Sequence, residues 1–250
     1  MNDTKTVNVQ RDVKAELQRQ AQTLREESAL QGMFIVNMLS SPGAGKTSLL
    51  EATAKHMNAR GRRMAVLVGD LETDRDAQRL APHCPVEQLT TGGACHLEIP
   101  LVKKGLAGLR QQQGLAGLRQ QQGLKHLGRD DFDFLFIENV GNLVCPASHD
   151  LAEHLRVVLL SVTEGDDKPG KYPKMFRTSQ AMLISKLDLL EHVPFNVEDA
   201  TTDAHKIQPD LKTFSVCALD GRGIETWCQY LEECRNHMLE QTSNLASSST

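Results

Sequence analysis

Ser40-Ser41-Pro42-Gly43-Ala44-Gly45-Lys46-Thr47 is the stretch on which the fold turns. It matches the phosphate-loop pattern G-x-x-x-x-G-K-S/T, except that Ser40 stands where the first glycine belongs. Its neighbours repair the mismatch. The apolar run Met33-Phe34-Ile35-Val36-Asn37-Met38-Leu39 before it is short enough for a buried strand, and Thr47-Ser48-Leu49-Leu50-Glu51-Ala52-Thr53-Ala54 after it reads as a helix. Strand, glycine-rich loop and helix start together put backbone N–H groups and a helix N-terminus where polyphosphate can be cradled. Gly43, Ala44, Gly45, Lys46, Thr47 and Ser48 are therefore expected to bind nucleotide. Lys46 would serve catalysis by neutralising the β and γ oxygens, and the Thr47 hydroxyl would bind Mg²⁺. A plain glycine-rich turn explains neither the lysine nor the threonine.

Further buried-strand patterns fall at residues 64–68, 133–137, 156–162, 181–185 and 212–216, with helical patterns between most of them. Strands alternating with helices predict an α/β fold: a P-loop NTPase whose mainly parallel sheet carries helices on both faces. Residues 9–29 have apolar positions at helical spacing and are expected to form an amphipathic helix packed across the domain edge. The final helix is expected over about 223–239, with Trp227, Tyr230 and Leu231 on one side. The expected organisation is an N-terminal helix and lead-in over residues 1–30, a single GTPase domain over 31–240 and a flexible, serine-rich tail over 241–250.

One segment breaks this pattern. Gly105-Leu106-Ala107-Gly108-Leu109-Arg110-Gln111-Gln112-Gln113 recurs unchanged at residues 114–122. Nine residues are about 2.5 helical turns, so a continuous helix would turn the second set of leucines to the opposite face. A duplication tolerated at a helix end or in a loop is the expectation, and no function is assigned to it.

The 250-residue chain is 40% hydrophobic and carries a formal charge of -4, enough apolar content for a core and no polybasic field. Nucleic acid and an anionic membrane are therefore not expected partners. The stretch 1–17 lacks the apolar run of a signal peptide or membrane span, so a cytoplasmic location is expected. The six cysteines should then stay reduced. Cys84, Cys217, Cys228 and Cys234 read as core.

Ala181-Met182-Leu183-Ile184-Ser185-Lys186-Leu187-Asp188 ends a strand in N/S-K-x-D. An aspartate there can accept from guanine N1–H and the 2-amino group, a donor pair that adenine lacks, so GTP/GDP is favoured. Ser185 in place of asparagine is expected to loosen the loop while leaving Lys186 to pack on the base. Cys217 and Ala218 sit where the final guanine-loop motif S-A-K has its first two residues. Two strand-end acids complete the reading: Asp70 after Val66-Leu67-Val68-Gly69, and Glu138 after Phe134-Leu135-Phe136-Ile137. At the C-terminal edge of a parallel sheet both face the nucleotide. Both are expected to be catalytic and to serve Mg²⁺, Asp70 by holding the ion or by orienting the attacking water.

In this order the motifs resemble the HypB family, P-loop GTPases of the SIMIBI class that assist nickel insertion into nickel-iron hydrogenase. The likeness is carried by the phosphate loop, by Gly69-Asp70, by Thr91-Gly92-Gly93-Ala94-Cys95-His96-Leu97, by Glu138-Asn139-Val140-Gly141-Asn142-Leu143-Val144-Cys145-Pro146-Ala147, and by Thr163-Glu164-Gly165-Asp166-Asp167-Lys168-Pro169. It implies a GTP-dependent homodimer that works with other hydrogenase-maturation accessory proteins and the hydrogenase large subunit. It also implies a metal site for Ni²⁺ or Zn²⁺ built from Cys95, His96 and Cys145. Thiolate and imidazole suit both ions. Cys95 and His96 can converge on one ion only from a turn or helix start, which Gly92-Gly93 favours. Three ligands leave a tetrahedral ion one short. Water, His149 or a second subunit can supply the fourth. Two other readings stay open here: a urease-accessory nickel GTPase, whose C-P-H motif is matched only by His83-Cys84-Pro85, and a zinc-bridged dimerisation module with little turnover.

Overall fold

The computed structural model describes residues 3–70, 74–93, 95–119 and 132–248, with side chains described for 12–69, 74–93, 95–112 and 132–247. Among these, seven strands form one sheet: β1 (Phe34–Ser40), β2 (Met64–Asp70), β3 (Val86–Thr90), β4 (Phe134–Glu138), β5 (Leu155–Ser161), β6 (Ala181–Ser185) and β7 (Lys212–Ser215). Their spatial order is β3-β2-β4-β1-β5-β6-β7, and each neighbouring pair is parallel. Parallel pairing puts every strand's C-terminal end on one edge. Ser40, Asp70, Glu138 and Ser185, each the last residue of its strand, all reach that edge.

Alternation along β1 shows why helices cover both faces. Phe34, Val36 and Met38 point toward a core shared with α2 (Lys46–Ala59) and α8 (Ile224–Ser248), while Ile35 points into a second core filled by α1 (Asp3–Gln31) and α4 (Ile99–Arg119). A third core joins β5 and β6 to α6 (Pro173–Arg177) and α7 (Val197–Ile207), through Met175, Phe176, Ala200 and Ala204. Two short α-helices, α3 (Arg75–Leu80) and α5 (Lys168–Lys171), and two 3-10 turns, Pro146–Ser148 and Leu187–His192, complete the described elements. Burying one leucine or phenylalanine stabilises by about 1.5–3 kcal/mol, so continuous apolar strands such as Phe134-Leu135-Phe136-Ile137 fix the sheet centre.

The leading helix packs through Leu17, Ala21 and Leu24. It is pinned at the opposite, N-terminal end of the strands by His154. The Ile35 N–H donates to His154 Nδ1 at 2.9 Å, and His154 Nε2 lies 3.2 Å from the Arg25 carbonyl, so the ring is held as one neutral tautomer. The ring stacks on Phe34, and its burial, helped by the Arg25 charge, pushes the imidazole down to about 4.

Three features differ from expectation. The edge strand β3 is missed by the pattern because Val86, Glu87 and Gln88 are only half-buried. The first nine-residue copy is helical and packed: Leu106 and Leu109 are buried, and a Cβ on Gly105 would fall 2.7 Å from Leu89 and 2.8 Å from Leu67. The backbone continues as helix to Arg119, within the second copy; the rest of that copy lies outside the described residues. The last helix also runs on to Ser248, so the expected flexible tail is helical over most of its length. There Thr242, Ser243 and Ser247 each donate to the carbonyl four residues earlier.

Candidate functional site: a phosphate cleft joined to a metal-ligand cluster

The phosphate loop is shaped by two glycines with positive φ, Gly43 at 71° and Gly45 at 95°, after which α2 begins at Lys46. The Lys46 ammonium is buried and donates to Ser40 Oγ at 2.7 Å, whose own hydroxyl donates to the Ser41 carbonyl at 2.6 Å. Ser40 is thus an anchor for the lysine, a use that a first glycine cannot serve. The Thr47 hydroxyl donates to Glu138 Oε1 at 3.0 Å across the sheet edge. Glu138 is 4% exposed, and burial raises its carboxyl to about 7. Its second oxygen, Oε2, is buried without a hydrogen-bond partner. An orphaned carboxylate oxygen beside a threonine hydroxyl is a donor set that suits a hard, oxygen-binding cation such as Mg²⁺. Asp70 ends β2 on this edge; its side chain lies outside the described residues.

This cleft, about 330 Å³, also contains Asp76 and Arg79 from α3, which sequence reasoning missed. Arg79 makes paired contacts to Glu51 at 3.1 and 2.9 Å and donates to Ser48 Oγ at 3.0 Å. No motif marks these residues, because α3 reaches the cleft only through the chain path from β2.

A second cavity of about 370 Å³ adjoins it, lined by Gly45, Leu49, Lys186, Asp188 and Ala218 among others. Ser185 does not loosen this loop. It is buried and its hydroxyl donates to the Ala44 carbonyl at 2.7 Å, tying the N/S-K-x-D turn to the phosphate loop. Lys186 takes a left-handed backbone and lies along the phosphate loop, its ammonium 2.6 Å from the Gly43 carbonyl. The buried Cys217 thiol donates to Asp188 Oδ1 at 3.2 Å, leaving the other carboxylate oxygen for a base.

Past Glu138 the chain runs directly to the expected metal residues. Asn139, 1% exposed, accepts from the Leu97 N–H at 3.4 Å and the Val140 N–H at 3.0 Å, and donates to Asn37 at 3.3 Å. Leu97 immediately follows His96, so one buried amide joins the strand end at Glu138 to the Cys-His turn. Packing reinforces the join, because a Cβ on Gly69 would fall 2.7 Å from Leu97. Gly141 presses on the phosphate loop itself: a Cβ there would fall 2.9 Å from Pro42 Cα.

Cys95 stands beside both His96 and Cys145, but among the described residues the side chains whose ligand atoms all lie close together are His96, Glu98 and His149, not the expected trio. Cys95 Sγ lies 3.7 Å from His96 Nδ1, and the hydrogen-bonding Cys145 thiol holds Cys95 above the ordinary thiol range. Metal uptake here would therefore release protons. Two groups not included in the expected trio stand beside them. The ring of His149 stacks on that of His96, centroids 3.7 Å apart, and Glu98 Oε1 lies 3.6 Å from His96 Nε2. Buried Arg156 clamps the turn that carries Cys145 and His149, donating to the carbonyls of Ala147 at 3.3 Å and His149 at 2.7 Å. By contrast Cys84 is buried below α3, its thiol raised by burial to about 12, so His83-Cys84-Pro85 is structural. Cys228 is core in the same way and Cys234 packs against the same cluster.

Comparison with known proteins places this architecture. A family model described as CobW/HypB/UreG, nucleotide-binding domain, matches residues 34–215. The hydrogenase maturation factor HypB of Azotobacter vinelandii is 40% identical over 242 residues, spanning 96% of this chain and 73% of its own length. The crystal structure of HypB from Helicobacter pylori in complex with nickel superposes with a TM-score of 0.78 at 36% identity, covering 89% of this chain and 96% of that one. HypB of Archaeoglobus fulgidus gives 0.73 at 32% identity, covering 88% and 99%. Among the described residues no helix is long and apolar enough to cross a membrane.

Proposed function

Because this chain belongs to the HypB family of hydrogenase maturation factors, we propose that it is a GTP-hydrolysing metallochaperone that carries Ni²⁺, or Zn²⁺ in its place, toward nickel-iron hydrogenase. The observation that supports this most directly is the continuity of one segment. Glu138 touches the Thr47 hydroxyl, Asn139 holds the Cys-His turn, and Cys145 reaches the Cys95 thiol.

Phosphoryl transfer needs positioning and charge neutralisation more than covalent chemistry. Lys46 and the N–H groups opening α2 bind the β and γ oxygens, and Asp188 with Cys217 selects guanine. Thr47, Glu138 and Asp70 would hold Mg²⁺, which when bound offsets phosphate charge. Asp70 instead orients the attacking water if it does not touch the ion. A shift of the strand end at Glu138 in response to the γ-phosphate displaces Asn139, whose side-chain oxygen holds the backbone N–H of Leu97 next to the metal turn. Nucleotide state therefore changes the geometry of Cys95, His96 and Cys145, which bind the cargo ion. A second copy of the chain, other accessory proteins and the hydrogenase large subunit are the partners this reading assigns.

The test is Ni²⁺ and Zn²⁺ affinity measured with GDP and with a non-hydrolysable GTP analogue. The two states should differ by about fivefold or more, and the metal must shift nucleotide affinity by the same factor. Equal affinities in both states would overturn the coupling. Absence of any GTP turnover that Lys46→Ala abolishes would leave a metal-bridged module instead.

A further inference from the structure

We infer that His96 stands between two metal positions: a thiol pocket with Cys95 and Cys145, and a separate nitrogen/oxygen pocket made by His96, Glu98 and His149 that takes a borderline divalent cation. The inference rests on the metal-carrying reading above and adds to it a second ligand set.

The imidazole of His96 has two edges, and they face different chemistry. Nδ1 faces Cys95 Sγ at 3.7 Å. Nε2 is buried with no hydrogen-bond partner and faces Glu98 Oε1 at 3.6 Å. One ligand atom from each of His96, Glu98 and His149 lies within 4.8 Å of the others. Ligands about 2.0–2.2 Å from a tetrahedral ion stand about 3.3–3.6 Å apart, so the His96–Glu98 pair already has the spacing and His149 needs a modest side-chain rotation that unstacks the two rings.

His149 carries the tautomer of a ligand, though its ring must turn to use it. Its Nδ1 lies 3.0 Å from the Cys145 carbonyl. Donation to that carbonyl fixes the proton on Nδ1 and leaves the Nε2 lone pair free, the arrangement by which backbone carbonyls direct metal-binding imidazoles. Arg156 holds the carbonyl of His149 itself, so the turn is braced on both sides. Space for a completing water is present: a cleft of about 440 Å³ opens against Glu98 and His149, under Lys14 and Leu17 of α1.

Two imidazoles and one carboxylate suit Ni²⁺, Zn²⁺ or Co²⁺, whereas two thiolates and an imidazole bind the same ions more softly and more tightly. An ion that moves from the first set to the second exchanges two thiolates for a carboxylate and an imidazole. It keeps its charge; the thiolates regain protons from solvent, and the His96 ring proton moves by way of solvent from Nε2 to Nδ1 as the ion changes edge. The nitrogen/oxygen pocket would thus be the position from which cargo leaves more readily.

The full chain with Cys95→Ser and Cys145→Ser, its fold checked by circular dichroism and thermal melting, is titrated with Ni²⁺ and studied by X-ray absorption at the nickel edge. It should still bind nickel, with nitrogen and oxygen neighbours and no sulfur. Adding His149→Phe should then weaken that binding by about tenfold or more, since loss of even an outer-shell partner of a ligand costs about 10–100-fold. A folded double-cysteine variant that binds no nickel, or one whose binding is unmoved by His149→Phe, would overturn the inference. Failure of the nucleotide-coupling reading shows elsewhere, as equal affinities of the parent chain in its GTP-analogue and GDP states.

Discussion

The phosphate cleft and the Cys-His cluster share one sheet edge but are held differently. In the cleft Lys46, Thr47 and Glu138 are all buried and joined by hydrogen bonds of 2.7 and 3.0 Å to neighbours on other elements. In the cluster Cys95 is exposed, Cys145 half-buried and Glu98 53% exposed, and all three lie in connections between elements, Glu98 just before the start of α4. A group that stabilises the same transition state at every turnover gains from being fixed in advance. A group that must let an ion go gains from solvent access and from alternative partners.

The widest separation between the two regions should come from Lys46→Ala. Removing one preorganised charge from a phosphoryl-transfer site is expected to cut GTP turnover by about 10²–10³-fold. Phosphate-release kinetics would show it, while Ni²⁺ affinity in the absence of nucleotide stays within about threefold, the scale of a distant substitution that removes no ligand. An equal fall in both would mean that the regions are one site.

Outside both regions His154 gives acid a third point of action, which a variant at that position isolates from the titration of the cleft and the cluster. His154 has a folded value of about 4 against 6.5 when unperturbed, so the unfolded chain binds more protons between these values. Its contribution is fully present above about pH 6.5 and is lost as pH falls through about 4, some 3 kcal/mol in all. Denaturant titrations of the parent and of His154→Gln at pH 7 and pH 4 should show a steeper loss in the parent. Parallel loss in the two proteins would remove His154 as the cause.

Asn139→Ala breaks the connection between the regions. It strands the Leu97 and Val140 N–H groups at a cost of about 1–3 kcal/mol in stability. The nucleotide-dependent difference in metal affinity should shrink toward unity even though no ligand is lost, as metal titrations in the two nucleotide states would reveal. The smallest effect belongs to Ser185→Ala, which removes a single hydrogen bond to the phosphate loop. About 1 kcal/mol of GTP affinity, read by calorimetry, is expected to go with it.

How much of this was legible depended on how local each interaction is. The phosphate loop, the N/S-K-x-D turn and the strand-end acids announce themselves because strand, turn and helix start are contiguous in sequence. Most strand positions followed from apolar runs buried on both faces, and β3 escaped because an edge strand needs no such run. The cluster was half legible. Cys95-His96 and Cys145 were marked by resemblance, and His149 was weighed only as one of three sources for a fourth ligand. Glu98 looked like any surface acid, and Asn139 finds Leu97 across 42 residues that no periodicity relates. Arg156 sits inside β5, yet it is what braces the cysteine-bearing turn. The reading of Ser185 as a loosening change failed because its effect depends on a carbonyl 141 residues away.

Gly141 carries one more consequence. A side chain at 141 would meet the backbone of Pro42, so the phosphate loop and the segment leading to Cys145 touch main chain to main chain. A contact through a long side chain has slack, because the rotamer can flip and absorb a displacement. A contact between two backbones has none. A shift of Pro42 therefore bears directly on the backbone at Gly141, four residues before Cys145.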